Sequence, residues 1–161
     1  MCSSDLLAGL ENTTGTTIYV SAGEPATYDV AGFEALTWSQ VVGTVSFGEW
    51  GDSEADVSEP LLSEGRVIHT NGASDGGEVS IVIQKRTTDA GADILETKGG
   101  TNDSVSFKKI YGESGDGEYG VGVVTSAKQR EAGSDTVRGF TQMARINTKV
   151  YKYTAAEIAA A

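Results

Sequence analysis

One cysteine, one histidine and two prolines stand among 161 residues, and each scarcity removes a class of answer. A lone Cys2 can form no internal disulfide, so no secreted disulfide framework is available. His69 has no second histidine and no cysteine near it in sequence, so it brings no ligand set for a zinc site. Two prolines beside 21 glycines point to many turns between strands and away from a proline-rich disordered chain. No apolar run approaches the roughly 20 residues of a membrane-spanning helix. Met1 to Leu7 lacks a basic n-region and an apolar h-region, so the expectation is synthesis in a reducing cytoplasm without export. On that expectation the sequons at Asn12 and Asn102 carry no sugar. Positive charge is also scarce: 12 Lys plus Arg face 23 Asp plus Glu, for a net charge of -11. Such a surface repels phosphates, which argues against tight nucleic-acid binding while leaving room for nucleic acid that passes without sticking.

What is present is ordinary for a globular chain, with 39% hydrophobic and 22% charged residues, and the length suits a single domain over 1–161. Residues 1–15 are polar and small and form an N-terminal arm. Thr16 to Ser21 is β-branched and aromatic, the signature of a first strand. Ala31 to Trp38 suits a short helical turn. Ser39 to Trp50 resumes strand character, with Gly43 and Gly48 as candidate bulges. Residues 51–65 are acidic and without pattern, long enough to be unusual as a structureless loop in a compact domain, and anchored by Trp50, Val57, Leu61 and Leu62. A strand follows over Arg66 to Thr70, then a turn over Asn71 to Gly77. Glu78 to Gln84 alternates Val79, Ile81 and Ile83 with Ser80, Val82 and Gln84, the period of a half-buried strand. Thr88 to Lys98 is the best helix candidate: Thr87 or Thr88 caps it, Lys98 suits its negative end and Gly99 and Gly100 stop it. Strands and tips then alternate to Tyr153. The last segment, Asp135 to Tyr153, keeps one parity through Phe140, Ala144, Ile146 and Val150, as a strand of about 15 residues would. The tail 154–161 is too short to fold by itself. The fold class is mainly β, an antiparallel sandwich or open barrel with one α-helix and a long loop between early strands.

Three motifs carry a chemical spelling. Gly72, Ser74 and Gly76 spell G-x-S-x-G, but a nucleophile elbow needs a strand before, a helix after and a histidine downstream. Here a strand follows and His69 lies upstream, so a hairpin turn explains the residues better. Gly115, Gly117 and Gly120 spell G-x-G-x-x-G, but Val121 to Thr125 suits a strand where a phosphate site needs a helix N-terminus, and Asp116 and Glu118 oppose a pyrophosphate. Asp52, Glu54 and Asp56 alternate as calcium ligands do, but Val57 stands where the required glycine belongs and Ser63 where the final Glu belongs. No complete catalytic set, metal site or cofactor site emerges. Lys108, Lys109, Lys128, Arg130, Arg138, Arg145, Lys149 and Lys152 gather most of the positive charge late in the chain. Set against the acidic 49–64 segment, they suit a contact between subunits as well as a solvated face.

The order of elements resembles one family, the major tail tube proteins of long-tailed phages and gene-transfer particles. The resemblance opens at Gly15 to Asp29, continues through Gly32 to Val41 into Val45 to Trp50, and closes on Asp89 to Leu95 after the long loop. It spans roughly residues 15 to 153. The motifs are degenerate, and their specificity lies in order and spacing. Surface decoration by the C-terminal immunoglobulin-like module of some relatives is not expected. The resemblance implies a non-enzymatic β-sandwich subunit of a virion tail that forms stacked hexameric rings, with 51–65 reaching a neighbouring subunit or ring. It also implies a negative lumen through which DNA slides, and contacts with tape-measure, tail terminator and distal tail proteins. Trp50, Asp52, Glu54, Asp56, Glu59, Leu61, Leu62 and Arg66 are the expected contact residues. The alternative is a small carbohydrate- or receptor-binding sandwich, for which Trp38 and Trp50 are the only seeds of an aromatic platform.

Overall fold

A computed structural model describes residues 10–130 and 132–161. The readings placed on Met1 to Leu7, on Cys2 and on most of the N-terminal arm lie outside them. Among the described residues eleven strands and three helices follow in chain order. They are β1 (Thr17–Ala22), α1 (Val30–Glu34), β2 (Ser39–Gln40), β3 (Thr44–Phe47), β4 (Ser53–Leu61), β5 (Arg66–Asp75), β6 (Glu78–Gln84), α2 (Ala90–Lys98), β7 (Val105–Ile110), β8 (Gly117–Val124), β9 (Lys128–Gln129), β10 (Gly139–Ile146), β11 (Tyr151–Tyr153) and α3 (Ala155–Ala160). The expected antiparallel β class holds. Beside the single helix expected, α1 falls at the short helical turn expected from Ala31, and α3 is an addition.

Nine strands form one antiparallel sheet in the order β2-β1-β7-β8-β10-β6-β3, with β11 beside β8 and β9 beside β10. β2 and β3 lie at opposite ends of that path, yet only residues 41–43 join them. Three residues span about 10 Å at most, so the two ends must come together and the sheet curls over its own core. Ile18, Val20, Ile81, Ile83, Leu95, Phe107 and Phe140 fill that core, and Phe47 of β3 faces Phe107 of β7 at 6.3 Å between ring centroids. The alternation of β6 is as expected: Val79, Ile81 and Ile83 are buried and their neighbours are not.

Asp89 holds the closure. Its Oδ1 accepts the Ala92 amide (3.1 Å) and so caps α2, while its Oδ2 accepts the Gly43 amide (3.0 Å) at the β2–β3 corner. The expected cap, Thr87 or Thr88, is therefore corrected to Asp89, which reaches two buried donors at once. Gly43 does not mark a bulge: a Cβ there would strike the Gln84 carbonyl. The register shift lies between Thr44 and Ser46.

The other face of β1, β7 and β8 carries a second cluster, in which α1 brings Phe33 and α3 brings Ile158 onto Tyr119, Val121, Tyr151 and Tyr153. Lys108, one strand across from both Tyr19 and Tyr119, lies within 5.7 Å of the ring centroids of Tyr19, Trp38 and Tyr119. Its ammonium pairs with Glu34 at 2.8 Å, and the Tyr119 hydroxyl donates to the same carboxylate. A six-residue helix is too short to stand by itself; α3 holds by its Thr154–Glu157 capping box, by Ile158, and by the Ala155 amide that Asp116 accepts.

The long terminal strand is corrected in two respects: it begins at Gly139, not Asp135, and it is interrupted. β10 pairs β8 in a register in which Ile146 faces Gly122, whereas Tyr151 of β11 faces Tyr119. Two residues are therefore extra between them, and the strand bulges at 147–150. Thr148 repairs the ladder, its hydroxyl accepting the Val121 amide at 3.1 Å while the Val121 carbonyl accepts the Asn147 amide at 2.9 Å.

Candidate assembly interface

The segment expected to be an irregular acidic loop is a strand. β4 pairs β5 from Ser53↔Asp75 to Leu61↔Arg66 with a bulge at Gly72 and Ala73 of β5, opposite Ala55, and among the described residues this two-stranded sheet joins no other strand. The expected turn at Asn71 to Gly77 shrinks accordingly, because β5 runs on to Asp75. Only Gly76 and Gly77, the latter with φ 67°, separate it from β6. A Cβ on Gly76 would sit 2.5 Å from the Ile146 carbonyl, and the Gly77 carbonyl accepts the Ile146 amide, so the base of the ribbon is fastened to the end of β10. From there nine residues of strand carry it about 30 Å outward.

Every residue of β4 is exposed, and so is every residue of β5 except Gly72. Residues directly opposite in an antiparallel pair share a face. One face therefore carries Val57, Glu59 and Leu61 opposite Thr70, Ile68 and Arg66, and five of these line a shallow concavity of about 240 Å³. The opposite face carries Asp56, Ser58, Pro60, Val67, His69 and Asn71. There the Asp56 carboxylate meets His69 Nδ1 at 3.0 Å. Leu62 at the tip is fully exposed, and Val57, Val67 and Ile68 are each about half exposed. Residues 51–76 hold six carboxylates against Arg66 alone, a net charge of -5. An isolated two-stranded hairpin is at best marginal in water. One with two open edges and an apolar face is a surface made to be covered.

Of the expected contact residues, Glu54, Asp56, Glu59, Leu61 and Arg66 lie along this ribbon, Leu62 at its tip and Asp52 just before it. Trp50 does not join them. It packs against the core edge-to-face with Phe47 at 5.1 Å, and its indole N–H donates to Glu118 at 2.7 Å. Trp38 is likewise turned inward, its N–H donating to the Phe33 carbonyl at 2.8 Å. The two seeds of an aromatic binding platform are thus both occupied within the chain. Glu118 also accepts the Tyr111 hydroxyl at 3.0 Å; burial first, and then that carboxylate, push the Tyr111 phenol up to about 12.

The motifs fall where no elbow or phosphate cradle can form. Ser74 lies inside β5 opposite Glu54, with β6 next in the chain. Gly117 to Gly120 lie inside β8, after the Tyr111–Asp116 turn. Among the described residues no three His, Cys, Asp or Glu side chains gather as metal ligands.

Sequence reasoning missed a second exposed surface. The outward side chains of β6, β9 and β10, together with Thr125 and Ser126 after β8, form an open groove of about 410 Å³ lined by Glu78, Ser80, Thr125, Ser126, Lys128, Thr141, Met143 and Arg145. Arg145 pairs with Glu78 at 2.8 Å, whereas Lys128 has no ion pair among the described residues. Alternation gives the outward parity of Met143 and Arg145. The joining of Lys128 to them depends on β9 turning back onto β10, which no local pattern encodes.

No family model and no curated protein matches the chain. Solved structures do. The SPP1 tail tube, solved by solid-state NMR and cryo-EM, superposes with a TM-score of 0.63 at 12% identity over 86% of this chain and 76% of that one. The tail of an empty gene transfer agent particle, refined with C6 symmetry, gives 0.60 at 12% identity over 90% and 100%. The extended sheath–tube complex of the extracellular contractile injection system PVC gives 0.57 at 10% identity over 96% and 99%. The chain thus shares its fold with chains of a phage tail tube, a gene transfer agent tail and a contractile sheath–tube complex.

Proposed function

We propose that the protein is a structural subunit of a virion tail, self-assembling into stacked hexameric rings that form a tube through which DNA leaves the particle. The observation that carries this reading is the β4–β5 ribbon, a long exposed hairpin with an apolar face and, among the described residues, no strand partner beyond its own two strands. Its acidic character and reach suit the segment 51–65 to contact with an adjacent subunit or ring. The tail-tube fold and the C6 symmetry of one matched particle support the ring. The net charge of -11 suits a wall along which DNA slides without binding. Tape-measure, tail terminator and distal tail proteins are the further partners that this role implies. The role needs no catalysis and no cofactor.

The test is to purify the chain, raise its concentration with and without tape-measure protein, and follow it by sedimentation and negative-stain microscopy. Rings or hollow tubes are expected. A monomer that persists at every concentration, with or without the tape-measure protein, would remove the proposal.

A further inference from the structure

The ribbon needs a receiving surface, and we infer that it is the β6–β9–β10 groove of a second copy, with Glu59 of one copy set against Lys128 and Arg145 of the next. This rests on the tube reading and adds the site of contact. Ribbon and groove are both exposed in the same chain, so a copy does not fill its own groove. The two surfaces match in chemistry. The ribbon face presents Val57, Leu61 and Ile68 around one central carboxylate, Glu59, opposite Ile68. The groove presents Met143, 38% exposed, between small hydroxyl side chains, flanked by Lys128 and Arg145. Arg130 lies along the same edge, its Cδ 2.9 Å from where a Cβ on Gly139 would stand. Charge complementarity extends beyond the central pair, because the ribbon has a net charge of -5 and the groove's cations outnumber its single Glu78. A contact between two different surfaces of identical copies is head-to-tail, the kind that closes rings or propagates stacks without limit.

A charge-swap cycle tests it. Glu59→Lys and Lys128→Glu each replace attraction with repulsion at every copy-to-copy contact, and each should raise the protein concentration for half-assembly about tenfold. The double variant Glu59→Lys with Lys128→Glu restores opposite charges across the contact and should return to within about threefold of the parent protein. Because both positions are exposed, the far-UV circular dichroism and melting of dilute, unassembled variants should match the parent. Single variants that assemble like the parent, or a double variant no better than the worse single one, overturn the docking while leaving the tube reading intact. A parent protein that never assembles overturns both.

Discussion

Replacing Asp89 should open the curled sheet at its closure. The carboxylate is 3% exposed and accepts two buried amides, one from α2 and one from the β2–β3 corner. Asp89→Ala removes a helix cap, which costs about 1 kcal/mol. It also leaves the Gly43 amide buried without an acceptor, which costs about 2 kcal/mol more. The total of about 3 kcal/mol lowers the melting temperature of a domain this size by roughly 6 to 12 °C. Asp89→Asn separates the two contributions: asparagine caps helices as well as aspartate, but its NH2 faces the Gly43 N–H, donor against donor. It should cost about 2 kcal/mol, leaving a gap of about 1 kcal/mol between the variants that reports the cap. Urea unfolding followed by tryptophan fluorescence, at concentrations too low for assembly, measures both. An Asp89→Ala loss below about 1 kcal/mol would refute the role given to this residue in holding the corner.

Three further outcomes are expected. Gly43→Ala places a methyl group against the Gln84 carbonyl and should abolish or severely reduce soluble folded protein, which expression and circular dichroism would reveal. Ile158→Ala removes the apolar tether of α3; hydrogen exchange should then show the α3 amides unprotected while β7 and β8 keep their protection. Alkaline pH should destabilise the fold. The Tyr111 and Tyr119 phenols are held above the usual tyrosine value by burial first and by Glu118 and Glu34 next. Their contribution is complete below pH 10, where both states are protonated, and declines above it as the unfolded chain ionises first. Thermal melts from pH 9 upward, compared with those of Tyr119→Phe, would show a shallower decline in the variant.

The regular parts of the fold were legible because burial writes itself into the sequence. β6 alternates because one of its faces meets the core, and α2 is framed by a cap region and two glycines. The ribbon was not legible. A strand exposed on both faces has no reason to alternate, and the bulge at Gly72 and Ala73 breaks what pattern β5 has. The ribbon's acidic residues favour solvent in any conformation, so they suit a loop equally well. The break at 147–150 was hidden for the opposite reason. Two extra residues preserve the period of two, so Val150 keeps the parity of Ile146 although the register has moved. Trp50 carried no sequence mark distinguishing an interface anchor from a core residue; the acceptor that fixes it, Glu118, is 68 positions away. The expected contact residues on the ribbon were nonetheless placed together in sequence, because the ribbon is one local hairpin.

A helical cryo-EM reconstruction of the assembled protein tests the central claim most directly. The expected map is a hollow tube of stacked rings in which density for Ser53 to Asp75 lies against a neighbouring copy. An assembly with no lumen, or one in which the ribbon projects into solvent and touches no neighbour, would contradict it.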